Sequence, residues 1–342
     1  MRRLARPGSG RTQGNAMKTQ RRRLLGWSIA TAATGGLWRP VRAQAYPSRP
    51  VRVIVPFAPG GPNDLAARLI AQKLSESLGN PFYVENIGGG GGNIGMGQAA
   101  RAAPDGYTVL IAAPNYVINP SLFDRVPYDP EKDFDPVTIA VSAPTILAVH
   151  PSTQASTMAE LVALIRANPG KYSFASPGVG TPPHLLGELF RLSLQLDLVH
   201  VPFTSGGLAI ASAVAGHTPV SFGAVPPAVP HVKDGRLRAL AITSGRRTDA
   251  LPDVPTSAEA GHADIAADIW TAMLVPAGTP ADVVALLHRE IVRLLALPDV
   301  KARLLSLGYE TVAARPAASA TRIRGELVKW AALIREAGLR AK

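Results

Sequence analysis

Two segments rich in glycine and proline each join a predicted strand to a predicted helix, and both suit a small anion. The first, PFAPGGPND, runs from Pro56 to Asp64, and the second, SPGVGTPPH, runs from Ser176 to His184. Glycines allow backbone N–H groups to converge, and a helix N-terminus adds partial positive charge. Because neither segment contains Lys or Arg, two such segments facing one cleft would hold a carboxylate through N–H groups and the Thr181 hydroxyl.

Each segment also has a purely structural interpretation. The first can be a tight turn between strand and helix that binds nothing, with Asp64 capping the helix. In the second, proline in the first helical turn fits a helix start, and His184 can serve in packing or capping. Both interpretations stay open at this point.

A third glycine cluster, Gly88–Gly92 followed by Gly95, formally matches the dinucleotide-binding pattern G-x-G-x-x-G. Five consecutive glycines match that pattern easily, and no acidic residue stands about 20 positions beyond Gly95 to hold a ribose. The sequence therefore predicts a mobile loop that packs a helix start against the sheet, and no nucleotide site.

Catalytic and metal-binding patterns are missing from the sequence. It contains no G-x-S-x-G, H-E-x-x-H or P-loop motif, no cysteine, and seven histidines without the spacing of metal ligands. Asp264 and Asp268 would pair at i, i+4 on a helix, where we expect a solvated face. Ser205 is interpreted as a helix N-cap and not as a nucleophile. The sequence predicts a binding protein without catalytic residues, cofactor or metal.

The elements around these segments alternate between strand and helix. An apolar run over 51–55 predicts a buried strand, and the apolar spacing over 63–78 predicts an amphipathic helix. Thr157 and Glu160 form a capping box that starts another helix. Proline-rich chain near 113–136 and 244–268 is predicted to be irregular.

This alternation occurs twice, so we expect an α/β protein with two lobes, each a mostly parallel sheet flanked by helices. The predicted organisation is lobe 1 over 46–145 plus 269–342, lobe 2 over 146–268, and a ligand cleft between them.

The positive charge of the chain is concentrated at its start. The 342 residues contain 36 Lys and Arg against 24 Asp and Glu, a net charge of +12. Residues 1–45 hold ten of the basic residues and no acid, so the other 297 residues carry 26 basic and 24 acidic side chains. These 297 residues are so close to neutral that they lack the excess of positive charge by which proteins bind nucleic acids.

Residues 1–45 have the features of an export signal. Met17–Arg23 is a basic n-region, 24–37 is weakly apolar, and Ala43-Gln44-Ala45 is a small-residue cleavage site, so the mature chain would begin at Tyr46. The apolar stretch is too short for a membrane span. The pair Arg21-Arg22 fits both the twin-arginine and the general secretory export route. Translation can start at Met1 or at Met17. The expected location is the bacterial periplasm.

Ordered motifs along the chain carry a specific resemblance. YPSRP at 46–50 leads into V-P-F-x-P-G-G-x-x-D at 55–64, and further motifs follow: VEN at 84–86, GGNIG at 91–95, APDGYT at 103–108, NPSL at 119–122, VPF at 201–203, LPDVPT at 251–256 and PAGTP at 276–280. Over residues 46–342 the chain resembles the Bug/TctC family, the extracytoplasmic solute receptors of tripartite tricarboxylate transporters.

The resemblance implies a two-lobed, type II-like periplasmic-binding fold that closes around a small carboxylate, held by backbone N–H groups, hydroxyls and waters. From this resemblance and the segments above, the candidate ligand-binding residues are Phe57, Pro59, Gly60, Gly61, Asn63, Asp64, Asn115, Ser176, Gly178, Gly180, Thr181, His184, Thr204 and Phe222.

The chain departs from the family pattern at two places. It has Val201-Pro202-Phe203-Thr204-Ser205 where the family often has V-P-Y-K-G, and Phe222-Gly223 where the family often has Phe-Asp. These departures predict a less polar distal pocket, which favours an apolar or aromatic monocarboxylate over a citrate-like acid.

The expected function is a monomeric receptor that delivers a small carboxylate to membrane transporter subunits on other chains. The alternative is a receptor that presents its ligand to a membrane sensor kinase, because one fold serves both roles.

Overall fold

The structure is a computed structural model that describes residues 46–57, 59–60, 62–203 and 205–340. The predicted export signal over 1–45 and the candidate residues Gly61 and Thr204 lie outside the described residues. Within the described part of the chain, no helix has the length and apolar character needed to cross a membrane.

The strands follow the predicted alternation with helices. In chain order they are β1 (Val51–Val55), β2 (Phe82–Asn86), β3 (Thr108–Ala112), β4 (Phe134–Val149), β5 (Tyr172–Ser176), β6 (Leu198–Pro202), β7 (Val220–Ala224), β8 (Arg238–Ile242), β9 (Asp268–Pro276) and β10 (Glu310–Thr311).

The helices lie between and after these strands. They are α1 (Pro62–Leu78), α2 (Asn93–Ala100), α3 (Asn115–Leu122), α4 (Met158–Ala167), α5 (Pro182–Ser193), α6 (Gly206–Val214), α7 (Val225–Lys233), α8 (Ala281–Leu295), α9 (Pro298–Ser306) and α10 (Pro316–Glu336), with short 3-10 helices at Gly90–Gly92 and Pro151–Thr153.

The strands form a mixed sheet in the order β2-β1-β3-β9-β4-β7-β5-β6, with β8 and β10 also paired to β4. β1 is parallel to β2 and β3, and β5 is parallel to β6 and β7. β9 is antiparallel to β3 and β4, and β4 is antiparallel to β7, β8 and β10. The predicted α/β class is confirmed, with parallel pairs at both ends of the sheet and antiparallel pairs in its centre.

The long strand β4 runs through that centre. Its residues 134–144 pair with β9, and its residues 145–149 pair with β7 on one side and β8 on the other. The partners of β4 therefore change between Pro144 and Thr145. The lobe boundaries at 145/146 and 268/269 stay a prediction.

Apolar faces of the helices cover both sides of the sheet. In α1, Ala66, Ile70 and Leu74 are spaced by four residues and are fully buried in one core cluster with Val53 of β1. Helix α10 is tied to β9 because the indole N–H of Trp270 donates to Glu326 at 2.7 Å. Aliphatic packing of this kind is the main stabilisation of amphipathic helices on a sheet.

Local signals that the sequence carries are confirmed at two helix starts. The hydroxyl of Ser205 accepts from the N–H of Leu208 at 3.3 Å, as an N-cap does. Thr157 accepts from the N–H of Glu160 at 3.1 Å, and the Glu160 carboxylate accepts from the N–H of Ser156 at 2.7 Å.

Two expectations about the irregular segments were wrong. The segment 113–136 contains helix α3, although Pro120 lies inside it. The solvated face expected at Asp264 and Asp268 does not include Asp268, which opens strand β9 and is mostly buried, accepting from Arg322 and Ser142. The apolar run after Asp268 favours the buried strand.

Candidate functional site

A cavity of about 530 Å³ lies where β1, β2 and β3 end. Parallel neighbours present their carboxyl ends at one edge of a sheet, so the loops that follow them converge there. The lining residues are Pro56, Phe57, Asn63, Gly88, Gly89, Gly91, Gly92, Ala113, Pro114, Asn115, Asn119, Leu122, Phe123, Val179, Gly180, Thr181, Pro182 and Ile269. We call this space the large cavity.

Asn63, in the first turn of α1, is held in one orientation. Its Oδ1 accepts from the hydroxyl of Thr271 at 2.8 Å and from that of Tyr309 at 2.7 Å. Burial raises the pKa of Tyr309 to about 12, so this hydroxyl keeps its proton at physiological pH. No hydrogen bond joins Nδ2 of Asn63 to another described residue. The amide NH₂ group is therefore available to a ligand at the N-terminus of α1.

Asp64 shapes the first segment from inside it. The buried carboxylate accepts from the N–H of Gly60 at 2.8 Å, from Nε of Arg68 at 2.9 Å and from Nδ2 of Asn86 at 2.7 Å. Burial opposes ionisation, but the hydrogen bonds from Arg68, Gly60 and Asn86 outweigh it and lower the pKa of Asp64. Asp64 thus stays charged, and its carboxylate occupies the Gly60 N–H group that sequence reasoning assigned to a ligand.

The second segment likewise uses its donors internally. The N–H of Gly178 donates to the Ser176 hydroxyl at 3.2 Å, and the N–H of Gly180 donates to Nδ1 of His184 at 3.1 Å. The hydroxyl of Thr181 donates to the carbonyl of Gly178 at 2.7 Å. Each of these groups has a partner within the loop, and the expectation that they hold a carboxylate stays a prediction.

The N-terminus of α5 adds few donors of its own. Pro182 and Pro183 occupy its first two positions and have no N–H group, so His184 is the first helical residue with one. The N–H of Leu185 donates to the carbonyl of Thr181 at 3.0 Å. The start of α5 therefore has fewer N–H donors than the start of α1, where a single proline precedes Asn63.

Two histidines, His184 and His200, form hydrogen bonds with Gly180 and Ser176 of the second segment. Nδ1 of His184 accepts from Gly180, so its neutral ring carries the proton on Nε2. Its ring centroid is 4.0 Å from that of His200, whose Nε2 is 2.7 Å from the hydroxyl of Ser176. Burial lowers the pKa of His184 to about 4, with a smaller effect of the Arg191 charge. Burial, and then the His184 ring, lower the pKa of His200 to about 4. Both rings are neutral at pH 7.

Side-chain amides fix the glycine cluster after β2. The carbonyl of Gly91 accepts from Nδ2 of Asn115 at 2.6 Å and from Nδ2 of Asn119 at 2.9 Å. Asn119 also donates to Oδ1 of Asn93 at 2.8 Å. Oδ1 of Asn115 is buried and has no partner among the described residues. It is an acceptor that a hydroxyl or a water in the large cavity can satisfy.

A smaller cavity of about 220 Å³ adjoins the large one, and the two share Thr181, Pro182 and Ile269. Its lining residues are Pro177, Thr181, Pro182, Pro183, Gly206, Ala209, Ile210, Phe222, Gly223, Ala224, Pro227 and Ile269. We call this space the small cavity. Among its described lining residues, only Thr181 has a polar side chain.

The structure brings together part of the predicted site. Phe57, Asn63, Asn115, Gly180 and Thr181 line the large cavity, and Phe222 and Thr181 line the small one. Other predicted residues lie within the loops or beside them and line neither cavity: Pro59, Gly60, Asp64, Ser176, Gly178 and His184.

Sequence reasoning missed the cluster Gly88–Gly92, Asn119 and Ile269 as parts of the site. The glycine cluster follows a strand and precedes a helix, as the two predicted segments do, so the same signal could have found it. Ile269, the second residue of β9, comes from far along the chain, and no local signal marks it.

The described lining of both cavities contains no Lys, Arg, His, Asp or Glu. The described residues also contain no group of three or more side chains suited to a metal ion. The arrangement can bind a small solute through amide and N–H donors at one end and apolar contacts at the other. An α/β fold with such a cleft at strand ends defines a solute-binding protein.

Comparison with known proteins gives the family. The family described as the tripartite tricarboxylate transporter family receptor matches residues 66–339. The chain belongs to this family, whose members are periplasmic solute-binding receptors, as its sequence motifs predicted.

Individual relatives span nearly the whole chain. Protein BugT of Bordetella pertussis is 36% identical over 312 residues, which cover 91% of this chain and 96% of BugT. A solved structure of a periplasmic transporter is 41% identical, with a TM-score of 0.72, covering 86% of this chain and 99% of that one. The R. palustris protein Rpa4515, solved with adipate, is 29% identical, with a TM-score of 0.72 and coverage of 86% and 99%.

Proposed function

We propose that this chain is a non-enzymatic periplasmic receptor that captures a small organic carboxylate and delivers it to a tripartite tricarboxylate-type membrane transporter. The observation that carries the proposal is Asn63, which lines the large cavity in the first turn of α1 and whose amide NH₂ donates to no described residue. The first N–H groups of a helix have no intrahelical partner, and they favour an anion.

The absence of charged side chains in the described lining supports binding by neutral donors. A carboxylate held by N–H donors in a site with little water is stabilised without an ion pair. The solved structure of Rpa4515 with adipate is that of a relative holding a carboxylate.

The test is the substitution Asn63→Asp, which keeps an oxygen for Thr271 and Tyr309 and replaces the NH₂ donor by a second oxygen. Two like charges about 4 Å apart repel by about 4 kcal/mol at an effective dielectric constant near 20. Affinity for a carboxylate, measured by calorimetry with acetate, hexanoate and adipate, should therefore fall by about 1000-fold.

The matched control is Asn168→Asp at the end of α4, where the side chain donates to the carbonyl of Leu164 outside both cavities. It should bind like the wild type. Unchanged affinity in a folded Asn63→Asp variant would contradict the proposed carboxylate position, and absence of binding to all three acids in the wild type would contradict the function.

Export and delivery complete the proposal. The basic segment Met17–Arg23 and the cleavage site Ala43–Ala45 support export, so periplasmic protein should begin at Tyr46, as mass spectrometry can measure. Loss of export on replacing Arg21 and Arg22 by Lys would identify the twin-arginine route. Uptake of the bound acid should fall in cells that lack the chain, whereas unchanged uptake would contradict delivery to a transporter.

A further inference from the structure

The small cavity differs in chemistry from the large one. Four of its lining residues are prolines (Pro177, Pro182, Pro183 and Pro227), and these have no N–H group. Its single polar side chain, Thr181, already donates to the carbonyl of Gly178 at 2.7 Å. The described side chains of this cavity therefore offer no free donor to a charged group, and the N–H of Gly206 at the start of α6 is a backbone donor at its edge.

We infer that the ligand is a monocarboxylate with an apolar body, whose carboxylate lies near Asn63 and whose body fills the small cavity. This inference rests on the proposed function and adds the substrate class. The two cavities share Thr181, Pro182 and Ile269 as lining residues and are therefore neighbours, and we assign one molecule to both. An apolar cavity of about 150 Å³ is enough to bind benzene, so about 220 Å³ accommodates a ring or a short alkyl chain.

The decisive comparison is hexanoate against adipate. Both have six carbons, and they differ in whether the distal end is a methyl or a second carboxylate. A charge placed among these apolar side chains loses its hydration and meets no side chain of opposite charge. Hexanoate should therefore bind the wild-type chain at least about 100-fold more tightly than adipate in calorimetry at pH 7.

Gly223 in β7 allows the small cavity to be filled without a clash. A Cβ added there meets no atom within 4 Å, and the residue does not have a left-handed backbone. Gly223→Leu should lower the affinity for hexanoate by about 100-fold, because burial of most of the alkyl chain is lost. Acetate, which has no body to place there, should bind as it does to the wild type.

The matched control is Gly207→Leu in α6. A Cβ at this exposed glycine also meets no atom within 4 Å, and Gly207 does not line either cavity. It should leave hexanoate binding unchanged. Thermal unfolding of both variants shows whether each is folded.

The outcomes separate this inference from the proposed function. Adipate binding as tightly as hexanoate, or more tightly, would overturn the inference and leave the carboxylate receptor intact. Full hexanoate affinity in folded Gly223→Leu would also overturn it. If acetate, hexanoate and adipate all fail to bind, the proposed function itself fails. The comparison of acids on the wild-type chain decides the matter even if Gly223→Leu does not fold.

Discussion

The buried histidines His184 and His200 make the free energy of unfolding depend on pH. The substitution His184→Gln should remove part of this dependence. His184 is 1% exposed, and its Nδ1 accepts from the N–H of Gly180, which fixes the second segment. A protonated ring has no acceptor, so a proton on Nδ1 would remove this bond. The perturbation is a change from pH 7 to pH 5, in the wild type and in His184→Gln.

The magnitude follows from the pKa of His184. Burial, and then the charge of Arg191, lower this pKa from 6.5 to about 4 in the folded chain. Below pH 6.5 the unfolded chain takes up a proton that the folded chain does not bind until about pH 4. The neutral ring therefore contributes its full stabilisation above pH 6.5. As the pH falls, this stabilisation is lost, and the loss is about 2 kcal/mol at pH 5 and about 3 kcal/mol below pH 4.

The assay is urea unfolding at pH 7 and pH 5. The wild type should lose about 2 kcal/mol more free energy of unfolding between the two values than His184→Gln does, because His184 is the titratable group removed and the pKa of the remaining His200 is lowered mainly by burial. The control His217→Gln, at an exposed histidine, should lose as much as the wild type. Equal losses in the wild type and His184→Gln would refute the buried neutral role of His184.

Two further predictions concern the packing around the site. Asp64→Asn should lower the free energy of unfolding by about 1.5–3 kcal/mol, since Gly60 and Arg68 lose a charged acceptor. Urea unfolding measures the free energy of unfolding of both chains. The difference between Asp64→Asn and the wild type should shrink in acid, because Asp64 becomes protonated once the pH falls below its lowered pKa. Gly187→Ala should lower it by about 1–3 kcal/mol, because the added Cβ would overlap the buried ring of Phe174. An unchanged melting temperature in Gly187→Ala would contradict that packing.

Elements with strong local signals could be predicted from the sequence closely. The strand over 51–55 has the predicted bounds, because a short apolar run lies there between two prolines. The caps at Thr157 and Ser205 form as expected, since a hydroxyl one position before a helix needs only its own local backbone as partner.

Helix α3 could not be predicted, because its stability comes from distant chain. Pro120 removes one hydrogen bond from the helix, which argues against a helix locally. The ring of Tyr116 stacks on that of Tyr128 with centroids 5.4 Å apart, and α10 packs on the same helix. Tertiary packing of this kind overrides local propensity.

The candidate site was predicted in its segments but not in its donors. Whether the N–H of Gly60 or of Gly180 is available depends on whether Asp64 or His184 turns back to accept from it. That choice is made by rotamers and by burial, which composition does not reveal. The anchoring of Asn63 by Tyr309 joins residues 246 positions apart, so only the folded chain brings them together.

Proline placement distinguishes the two helix starts beside the neighbouring cavities. Pro62 takes only the first position of α1, and Asn63 and Asp64 follow it with N–H groups in the first turn. Pro182 and Pro183 take the first two positions of α5, which leaves that helix start nearly without donors. In the binding mode that we propose, a carboxylate between the two helices therefore finds more of its donors on the α1 side. Its body then extends toward Phe222 and the prolines around it.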